Sequence, residues 1–364
     1  MQHGTLSKWA GTPLFGLILM WGCSSGLPTE PDAANVIVPT GKGIGSEVFL
    51  PTPSHLCSDY TPETIATFED GELEAVVRAE LGINSQVDLT CELAAAITAL
   101  DAESCPCDGR QVSSLVGIQN LTSLRALNLN GNPVSDLSPL SGLTSLQDFR
   151  LGRYGSPTLS PVTDINALNG LTSLIWLELS GNTISDVGGL SEHTELRYLD
   201  LGRNEISEIS ALSGLTLLTH LDLSGNTITD IGALSGMTRL GWLELHDNNI
   251  ADISALSLMS LTTLLIHANE IVDISALSGQ TFLTRLMLSF NQITDVTALQ
   301  GLTSLAALAL AANSDLTNIQ PLLDNTGIGV GDEVRLEWTA VDCGQVEKLR
   351  QKGVILPSPF SRCL

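Results

Sequence analysis

Nine segments between Leu124 and Asn313 follow one pattern, L-x-x-L-x-L-x-x-N, and most copies are 22 residues apart. A fixed period of this length indicates that one structural unit is stacked many times, so the unit and its neighbour contacts determine the fold. The second copy carries a six-residue insertion and the sixth lacks one residue. The copies begin at Leu124, Leu146, Leu174, Leu196, Leu218, Leu240, Leu261, Leu283 and Leu305.

Each repeat reads as a short strand followed by a turn. In the fourth copy, Leu199 and Leu201 alternate with Tyr198 and Asp200, which places leucines on one side of a strand and polar residues on the other. Asn204 follows the strand, where its side chain can satisfy backbone groups at the turn. We expect these asparagines to form a ladder, with members Asn182, Asn204, Asn226, Asn248, Asn269, Asn291 and Asn313.

A single coil of this kind cannot enclose a core, so each coil must bury its apolar face on the next. The pattern therefore predicts an α/β solenoid, a leucine-rich repeat horseshoe with a parallel sheet on its concave face. Both open ends need caps. Asp70 and Thr90 are placed to begin two capping helices, and Leu100 and Val334 fit degenerate strands at the two ends of the repeats.

The chain divides into five parts by pattern and composition. We expect a signal peptide over 1–22, a lipidated flexible linker over 23–56 and a helical N-terminal cap with a degenerate repeat over 57–120. The repeats follow over 121–320, and a disulfide-closed C-terminal cap completes the chain over 321–364.

Beyond the repeat itself, two segments resemble the internalin-like family of bacterial 22-residue leucine-rich repeat proteins. They are F-E-D-G-E-L-E-A-V-V-R-A-E-L-G at Phe68 to Gly82 and I-S-A-L-S-G-L-T at Ile209 to Thr216. The resemblance spans about residues 64 to 357. It implies an exported, surface-displayed protein-binding module, in a family whose members bind unrelated ligands.

The N-terminus indicates export. An apolar run from Leu14 to Trp21 is too short to span a bilayer, which needs about 20 residues, and fits a signal peptide. Gly22 before Cys23 resembles the bacterial lipobox, which implies a lipid on Cys23, and Ser24 in place of a retention aspartate implies sorting to the outer membrane or cell surface. Cleavage at another residue, with Cys23 unmodified, is the alternative.

The six other cysteines are Cys57, Cys91, Cys105, Cys107, Cys343 and Cys363. An even number in an exported chain indicates disulfides, and their grouping favours pairing within each cap. Cys343 is expected to pair with Cys363. The Cys-Pro-Cys segment is too short to bridge to itself, so Cys57 and Cys91 are its expected partners, in either order.

The formal charge of −24 makes nucleic acid and anionic membrane surfaces poor partners, so membrane contact is expected only through the N-terminal lipid. One acidic series recurs ahead of each return turn. Its expected role is structural, because such a side chain can cap the free amides of the turn. Its members are Asp136, Asp164, Asp186, Glu208, Asp230, Asp252, Asp273 and Asp295.

The outward strand positions are the ones that packing leaves free, and four adjacent repeats fill them distinctively. The third position carries an aromatic row, Trp176, Tyr198, His220 and Trp242. The fifth position carries an acidic row, Glu178, Asp200, Asp222 and Glu244. Rows of exposed aromatics and of like charges cost stability, which is expected of a binding site; sequence drift on a tolerant surface is the alternative.

Other residues extend this face. His246 and His267 share the seventh position in neighbouring repeats and are included in the predicted partner-binding set, although no metal is expected there. Leu265, Met287 and Ala309 then replace the acids, which predicts an apolar C-terminal part of the face. His193 stands at an apolar position and is expected to be a partly buried structural residue.

No nucleophile, metal-hydrolase or phosphate-loop motif occurs in a suitable context, so neither enzymatic activity nor a cofactor is expected. The favoured function is binding of a basic protein or peptide by the concave face. Carbohydrate binding by the same rows is the alternative, since aromatic rings with carboxylates also recognise sugars. A structural envelope role without a soluble ligand is the third possibility.

Overall fold

The structure, a computed structural model, describes residues 49–50, 52, 54–104, 111–153 and 161–357. In this part of the chain, eleven parallel strands form one sheet in chain order. Nine belong to the repeats and one degenerate strand lies at each end, so the predicted solenoid is confirmed. The strands are β1 (Ala99–Asp101), β2 (Ala126–Asn128), β3 (Asp148–Arg150), β4 (Trp176–Glu178), β5 (Tyr198–Asp200), β6 (His220–Asp222), β7 (Trp242–Glu244), β8 (Thr263–Leu265), β9 (Arg285–Met287), β10 (Ala307–Ala309) and β11 (Glu333–Arg335).

The opposite wall of the solenoid consists of short 3₁₀ turns. Leucines and isoleucines from the strands and from these turns are buried in one continuous core. The core therefore runs the length of the stack, as nearest-neighbour burial requires. The turns span Ile118–Asn120, Ser138–Leu140, Asn166–Leu168, Gly188–Leu190, Ser210–Gly214, Gly232–Gly236, Ser254–Leu256, Ser275–Leu277 and Thr297–Leu299, and a further one spans Cys57–Asp59 in the N-terminal cap.

Aspartates cap these turns, as the sequence predicts. Asp252 Oδ1, for example, accepts a hydrogen bond from the backbone N–H of Ser254 at 2.8 Å. Such a bond satisfies an amide that the short turn leaves free. The same bond is made by Asp136, Asp164, Asp186, Asp230, Asp273 and Asp295.

The predicted asparagine ladder joins neighbouring coils. Asn248 Oδ1 accepts from the N–H of Ile228 at 3.0 Å, and its Nδ2 donates to the carbonyls of Leu223 at 3.0 Å and Leu245 at 3.1 Å. One buried side chain thus satisfies three backbone groups on two coils. Equivalent bonds are made by Asn182, Asn204, Asn226, Asn269, Asn291 and Asn313.

Two helices, α1 (Gly71–Glu80) and α2 (Cys91–Ala95), form the N-terminal cap. Asp70 begins α1 by accepting from the N–H groups of Glu72 and Leu73, and Thr90 caps α2. The second carboxylate oxygen of Asp70 accepts from the N–H of Ser113 at 2.8 Å. Asp70 therefore also ties the cap to the segment that leads into the repeats.

The disulfide of the N-terminal cap corrects the pairing expected from sequence. Cys57 bonds to Cys91, with the two Cα atoms 5.4 Å apart, and not to a cysteine of the Cys-Pro-Cys segment. The cause lies in the backbone: the carbonyl of Thr64 accepts from the N–H of Cys91, and Ile65 pairs with Thr90. The chain after Cys57 therefore runs along the start of α2. Cys105 and Cys107 lie outside the described residues.

The C-terminal cap contains α3 (Gln320–Asp324), β11 and α4 (Cys343–Gln351). Just after α4, Lys352 Nζ donates to the carbonyls of Leu323 at 2.9 Å and Asn325 at 2.7 Å, which satisfies the end of α3. Cys343 is disulfide-bonded. Its predicted partner Cys363 lies outside the described residues, so that pairing stays a prediction.

The predicted signal peptide over 1–22 and lipidation site at Cys23 also lie outside the described residues. Among the helices that are described, none has both the length and the apolar character needed to cross a bilayer.

Candidate functional site

The aromatic row lies on four adjacent strands, β4 to β7, in strict register. Trp176 stacks on Tyr198 with ring centroids 3.6 Å apart and planes at 3°. Tyr198 lies 5.9 Å from His220, and His220 lies 6.3 Å from Trp242, again with the rings stacked. The rings cover one another's faces, so the row shields apolar surface while remaining on the concave side.

An arginine that the sequence analysis did not single out extends the aromatic row. The guanidinium carbon of Arg150, on β3, lies 4.9 Å from the ring centroid of Trp176, in cation–π contact. Asp148 holds it in place, since Arg150 Nε and Nη2 donate to its carboxylate at 2.9 and 2.7 Å. A sequence signal was available: Asp148 and Arg150 occupy the third and fifth positions of the second repeat.

The acidic row lies beside the aromatic row on the same four strands, as predicted. Glu178 is 5% exposed and Asp200 is 8% exposed, so both carboxylates are largely removed from water. Burial and the neighbouring carboxylate of Asp222 raise the pKa of Asp200 to about 7. The row is therefore electrostatically strained near neutral pH, because like charges share a poorly solvated strip.

The pKa values of the other two acids of the row, Asp222 and Glu244, depend on their hydrogen-bond partners. Burial raises the pKa of Asp222 despite hydrogen bonds from Ser224. Burial acts in the same direction on Glu244, but hydrogen bonds from His246 and Trp242 outweigh it and lower its pKa. The indole Nε1 of Trp242 donates to Glu244 Oε1 at 2.7 Å. The two rows are thus linked at β7.

His246 and His267 stack directly on each other, with ring centroids 4.4 Å apart and planes at 10°. His246 Nδ1 lies 2.8 Å from Asp247 Oδ2, and its Nε2 lies 3.5 Å from Glu244 Oε2. Hydrogen bonding to Glu244 raises the pKa of His246, while burial lowers the pKa of His267. The pair lies next to the acidic row, at the β7 and β8 end. His193, by contrast, is completely buried, with Nε2 3.1 Å from the carbonyl of Leu168.

Beyond β7 the fifth strand position becomes apolar on β8 to β10, as predicted, while Arg285 keeps a charge at the third position of β9. Leu265 and Ala309 are buried and Met287 is half-buried. At the rim, Phe290 is 54% exposed and Trp338 is 73% exposed, with ring centroids 6.2 Å apart. Both have φ of 56°, a left-handed conformation that large side chains rarely adopt. Sequence reasoning missed Trp338, because the coil that carries it departs from the repeat pattern.

Comparison with known proteins bears on this face as well as on the fold. A family model described as leucine rich repeat matches residues 177–228 and 195–250, and a second with the same description matches 120–137 and 279–298. No curated protein matches the chain significantly.

Among solved structures, an internalin (inlF) from Listeria monocytogenes is 29% identical, over 81% of this chain and 92% of that chain, with a TM-score of 0.66. The functional domain of InlJ from the same organism is 26% identical, over 75% of this chain and 56% of that one, with a TM-score of 0.63. The chain is an internalin-like leucine-rich repeat protein. The family resemblance read from its sequence is confirmed.

The fold of this internalin-like protein extends to more distant proteins. A plant peptide hormone receptor, RGFR1 in complex with RGF2, is 20% identical over 61% of this chain and 37% of that one, with a TM-score of 0.53. At this identity the likeness concerns the fold alone.

The raised pKa of Asp200 predicts that this internalin-like protein loses stability as pH rises. The native state binds a proton at Asp200 up to about pH 7, whereas the unfolded chain releases it near the ordinary value of 3.8. Stability from this group is therefore complete below that value and lost as pH rises through 7. The difference of about three pH units corresponds to at most about 4 kcal/mol.

We expect Asp200→Asn to stabilise the protein at pH 8 by about 2 kcal/mol and to change stability little at pH 4, since the amide resembles the protonated acid. Urea denaturation at the two pH values measures both quantities. Asp230→Asn, at an exposed turn, is the control and should not stabilise the protein at pH 8, because its carboxylate is exposed and accepts a hydrogen bond from Gly232 N–H. A parallel fall of stability with pH in Asp200→Asn and in the parent would contradict the assignment.

Proposed function

We propose that this internalin-like protein is a non-enzymatic binding protein whose concave face takes a basic segment of a protein partner. The observation that carries the proposal is the pairing of the aromatic row with the acidic row on β4 to β7. Backbone pairing fixes both rows before a ligand arrives, so little conformational entropy is lost on binding.

The electrostatics of the acidic row favour a cationic ligand. Burial, together with repulsion between neighbouring carboxylates, raises the pKa values of Asp200 and Asp222, and a lysine or arginine placed over them would offset both effects. Charge complementarity of this kind contributes mainly to specificity and to the rate of association.

The aromatic row supplies anchors of the type that dominate protein interfaces. The buried indole Nε1–H of Trp176 has no hydrogen-bond acceptor among the described residues. A buried donor without an acceptor costs free energy, so the fold accepts a cost at this position of the aromatic row. The plant peptide hormone receptor that shares this fold was solved in complex with RGF2.

Carbohydrate binding is less well supported by the ring geometry. Sugar rings stack on exposed aromatic faces, but Trp176 and Tyr198 cover each other with centroids 3.6 Å apart. The guanidinium of Arg150 lies 4.9 Å from the ring centroid of Trp176 and competes for the same indole.

The proposal includes display at the cell surface or outer membrane through a lipid on Cys23. The support is the apolar run that ends at Gly22-Cys23, followed by a proline-rich segment up to about residue 56. Leu50 already packs in the core of the N-terminal cap, so any tether would run from Cys23 to about residue 48. A flexible coil of that length would span on the order of 30 Å.

Parallel arrays of peptides and glycans, probed with the purified protein, test the ligand class. We expect binding to lysine- and arginine-rich peptides and none to acidic peptides of equal length. Binding to glycans alone would establish the carbohydrate alternative. Failure to bind either array would favour a structural envelope role.

Charge reversal tests the location of the site. Asp222→Lys should weaken binding of a basic peptide by about 1 to 2 kcal/mol, mainly by slowing association, and should flatten its salt dependence. Surface plasmon resonance at several salt concentrations measures both effects. Asp230→Asn, which alters an acid on the opposite wall, is the matched control. Equal association rates for the two variants would place the site elsewhere.

A further inference from the structure

The seventh position of the repeat is reserved for small or short side chains, with two exceptions. Its occupants are Asn130, Gly152, Ser180, Gly202, Ser224, His246, His267, Ser289 and Ala311. Crowding explains the rule, since a Cβ added at Gly152 would lie 2.6 Å from the Glu178 carboxylate. Two adjacent coils nevertheless carry imidazoles there, in face-to-face contact.

A third unusual residue, Asp247 at the eighth position of the sixth repeat, lies next to the two imidazoles. The eighth position has a left-handed backbone and is glycine in the first, third and fifth repeats, as at Gly225. Asp247 occupies it in the sixth repeat with φ of 56°, and it is the only acid at this position in the nine repeats. Its carboxylate reaches His246 Nδ1 at 2.8 Å. Three unusual residues of two coils thus converge.

We propose that His246, His267 and Asp247 bind one Zn²⁺ ion on the concave face, with a fourth position open to water or to a partner side chain. One nitrogen or oxygen from each residue lies within 4.8 Å of the others. Imidazole nitrogen and carboxylate oxygen are ligands that zinc prefers, and three protein ligands with an open position form a recognised zinc geometry.

The distances suit zinc after a small adjustment. Ligands at about 2.0 to 2.2 Å from a tetrahedral ion lie roughly 3.3 Å apart, so the widest separation must close by about 1.5 Å, while the 2.8 Å between His246 Nδ1 and Asp247 Oδ2 must open slightly. The two imidazoles must also turn out of their parallel stack so that both ring planes point at the ion, and rotation of these half-buried side chains about their torsions allows this. Asp247 is exposed, which leaves the fourth position accessible from solvent.

Glu244 is the positioning residue of this site. Its Oε2 lies 3.5 Å from His246 Nε2, the nitrogen that faces away from Asp247. Trp242 fixes the carboxylate in turn by donating to Oε1 at 2.7 Å. A histidine that ligates zinc commonly directs its second nitrogen to a carboxylate, which orients the ring and raises its basicity.

Isothermal titration of the protein with Zn²⁺ alone tests the site. We expect one saturable site with affinity in the micromolar range or tighter, no competition from Ca²⁺ or Mg²⁺, and a visible absorption spectrum of tetrahedral type with Co²⁺. His246→Gln and His267→Gln should each weaken Zn²⁺ binding at least tenfold. His55→Gln, which removes a histidine of the N-terminal cap, should bind as the parent does.

The Glu244→Gln variant tests whether Glu244 orients the His246 ring or only supports the fold. Without the carboxylate, the His246 ring is less well oriented, so the affinity for Zn²⁺ should fall severalfold while the tetrahedral Co²⁺ spectrum, which reports the three ligands, is retained. Circular dichroism confirms that each variant is folded. Absence of saturable Zn²⁺ binding by the parent would overturn the proposal, as would unchanged affinity in a folded His246→Gln/His267→Gln variant. The measurement needs no protein ligand, so its outcome is independent of the proposed function.

Discussion

Removal of both indole rings, by Trp176→Ala with Trp242→Ala, is expected to weaken binding of a basic peptide partner by about 4 kcal/mol, a loss of roughly a thousandfold in affinity. Buried tryptophan anchors typically cost about 2 kcal/mol or more each when truncated. Trp176 also stacks on Tyr198, and Trp242 orients Glu244. The loss of binding free energy therefore includes the cost of leaving Tyr198 and Glu244 less well ordered in the variant. Titration calorimetry with a peptide selected on the array measures the change.

Phe282→Ala is the matched control for this prediction. Phe282 is 65% exposed and precedes β9, outside the outward strand positions. Its removal deletes an exposed aromatic ring without touching the aromatic row, so binding should be unchanged. Both variants should retain the circular dichroism spectrum of the parent, because neither truncates a fully buried side chain. A tryptophan double variant that binds as tightly as Phe282→Ala would exclude the aromatic row as the site.

Loss of one rung of the asparagine ladder is expected to have the largest effect on stability. Asn248→Ala would remove the acceptor for Ile228 N–H and the donor for two buried carbonyls. Leu223 and Leu245 each keep a second donor, from Asn226 Nδ2 and Asn269 Nδ2, so only the N–H of Ile228 is left without a partner, at a cost of about 1 to 3 kcal/mol. With the two other hydrogen bonds also lost, we expect a destabilisation of about 3 kcal/mol. Urea denaturation at constant pH, with ladder and control variants side by side, measures the difference.

The adjacent residue gives a closely matched control. Asn249 is exposed, whereas Asn248 is 8% exposed, so Asn249→Ala should change stability by less than about 0.5 kcal/mol. The two variants have the same composition and the same net charge. Equal denaturation midpoints would mean that the ladder does not carry the coil-to-coil connection.

The fold could be predicted from the sequence almost completely, because the repeat states the same local rule nine times. Strand register followed from the leucines, and the roles of Asn248 and Asp252 followed from the backbone groups that each turn leaves free. The non-repeating ends were less predictable. The Cys57–Cys91 pairing depends on how one irregular segment crosses α2, and no periodicity in the sequence encodes that path.

The sequence predicts where the residues of the candidate site lie, but it does not predict which side-chain contacts they make. Register placed Trp176 beside Tyr198, yet the 3.6 Å stack depends on side-chain rotamers that a pattern does not specify. The contact of Arg150 with Trp176 depends on its anchoring by Asp148. The contact between Asp247 and His246 depends on a left-handed backbone that the repeat pattern does not specify.

The C-terminal edge of the sheet has a consequence for contacts between copies of the protein. A parallel sheet ends in a strand with unpaired N–H and C=O groups, which can recruit a strand from another molecule. Here the chain folds back beside β11: Val334 N–H donates to the carbonyl of Ile355 at 3.0 Å, and Ile355 N–H donates to the carbonyl of Asp332 at 2.7 Å. Two copies of the protein would therefore not pair through an open edge at β11, and the sheet would not extend from one molecule to the next at this end.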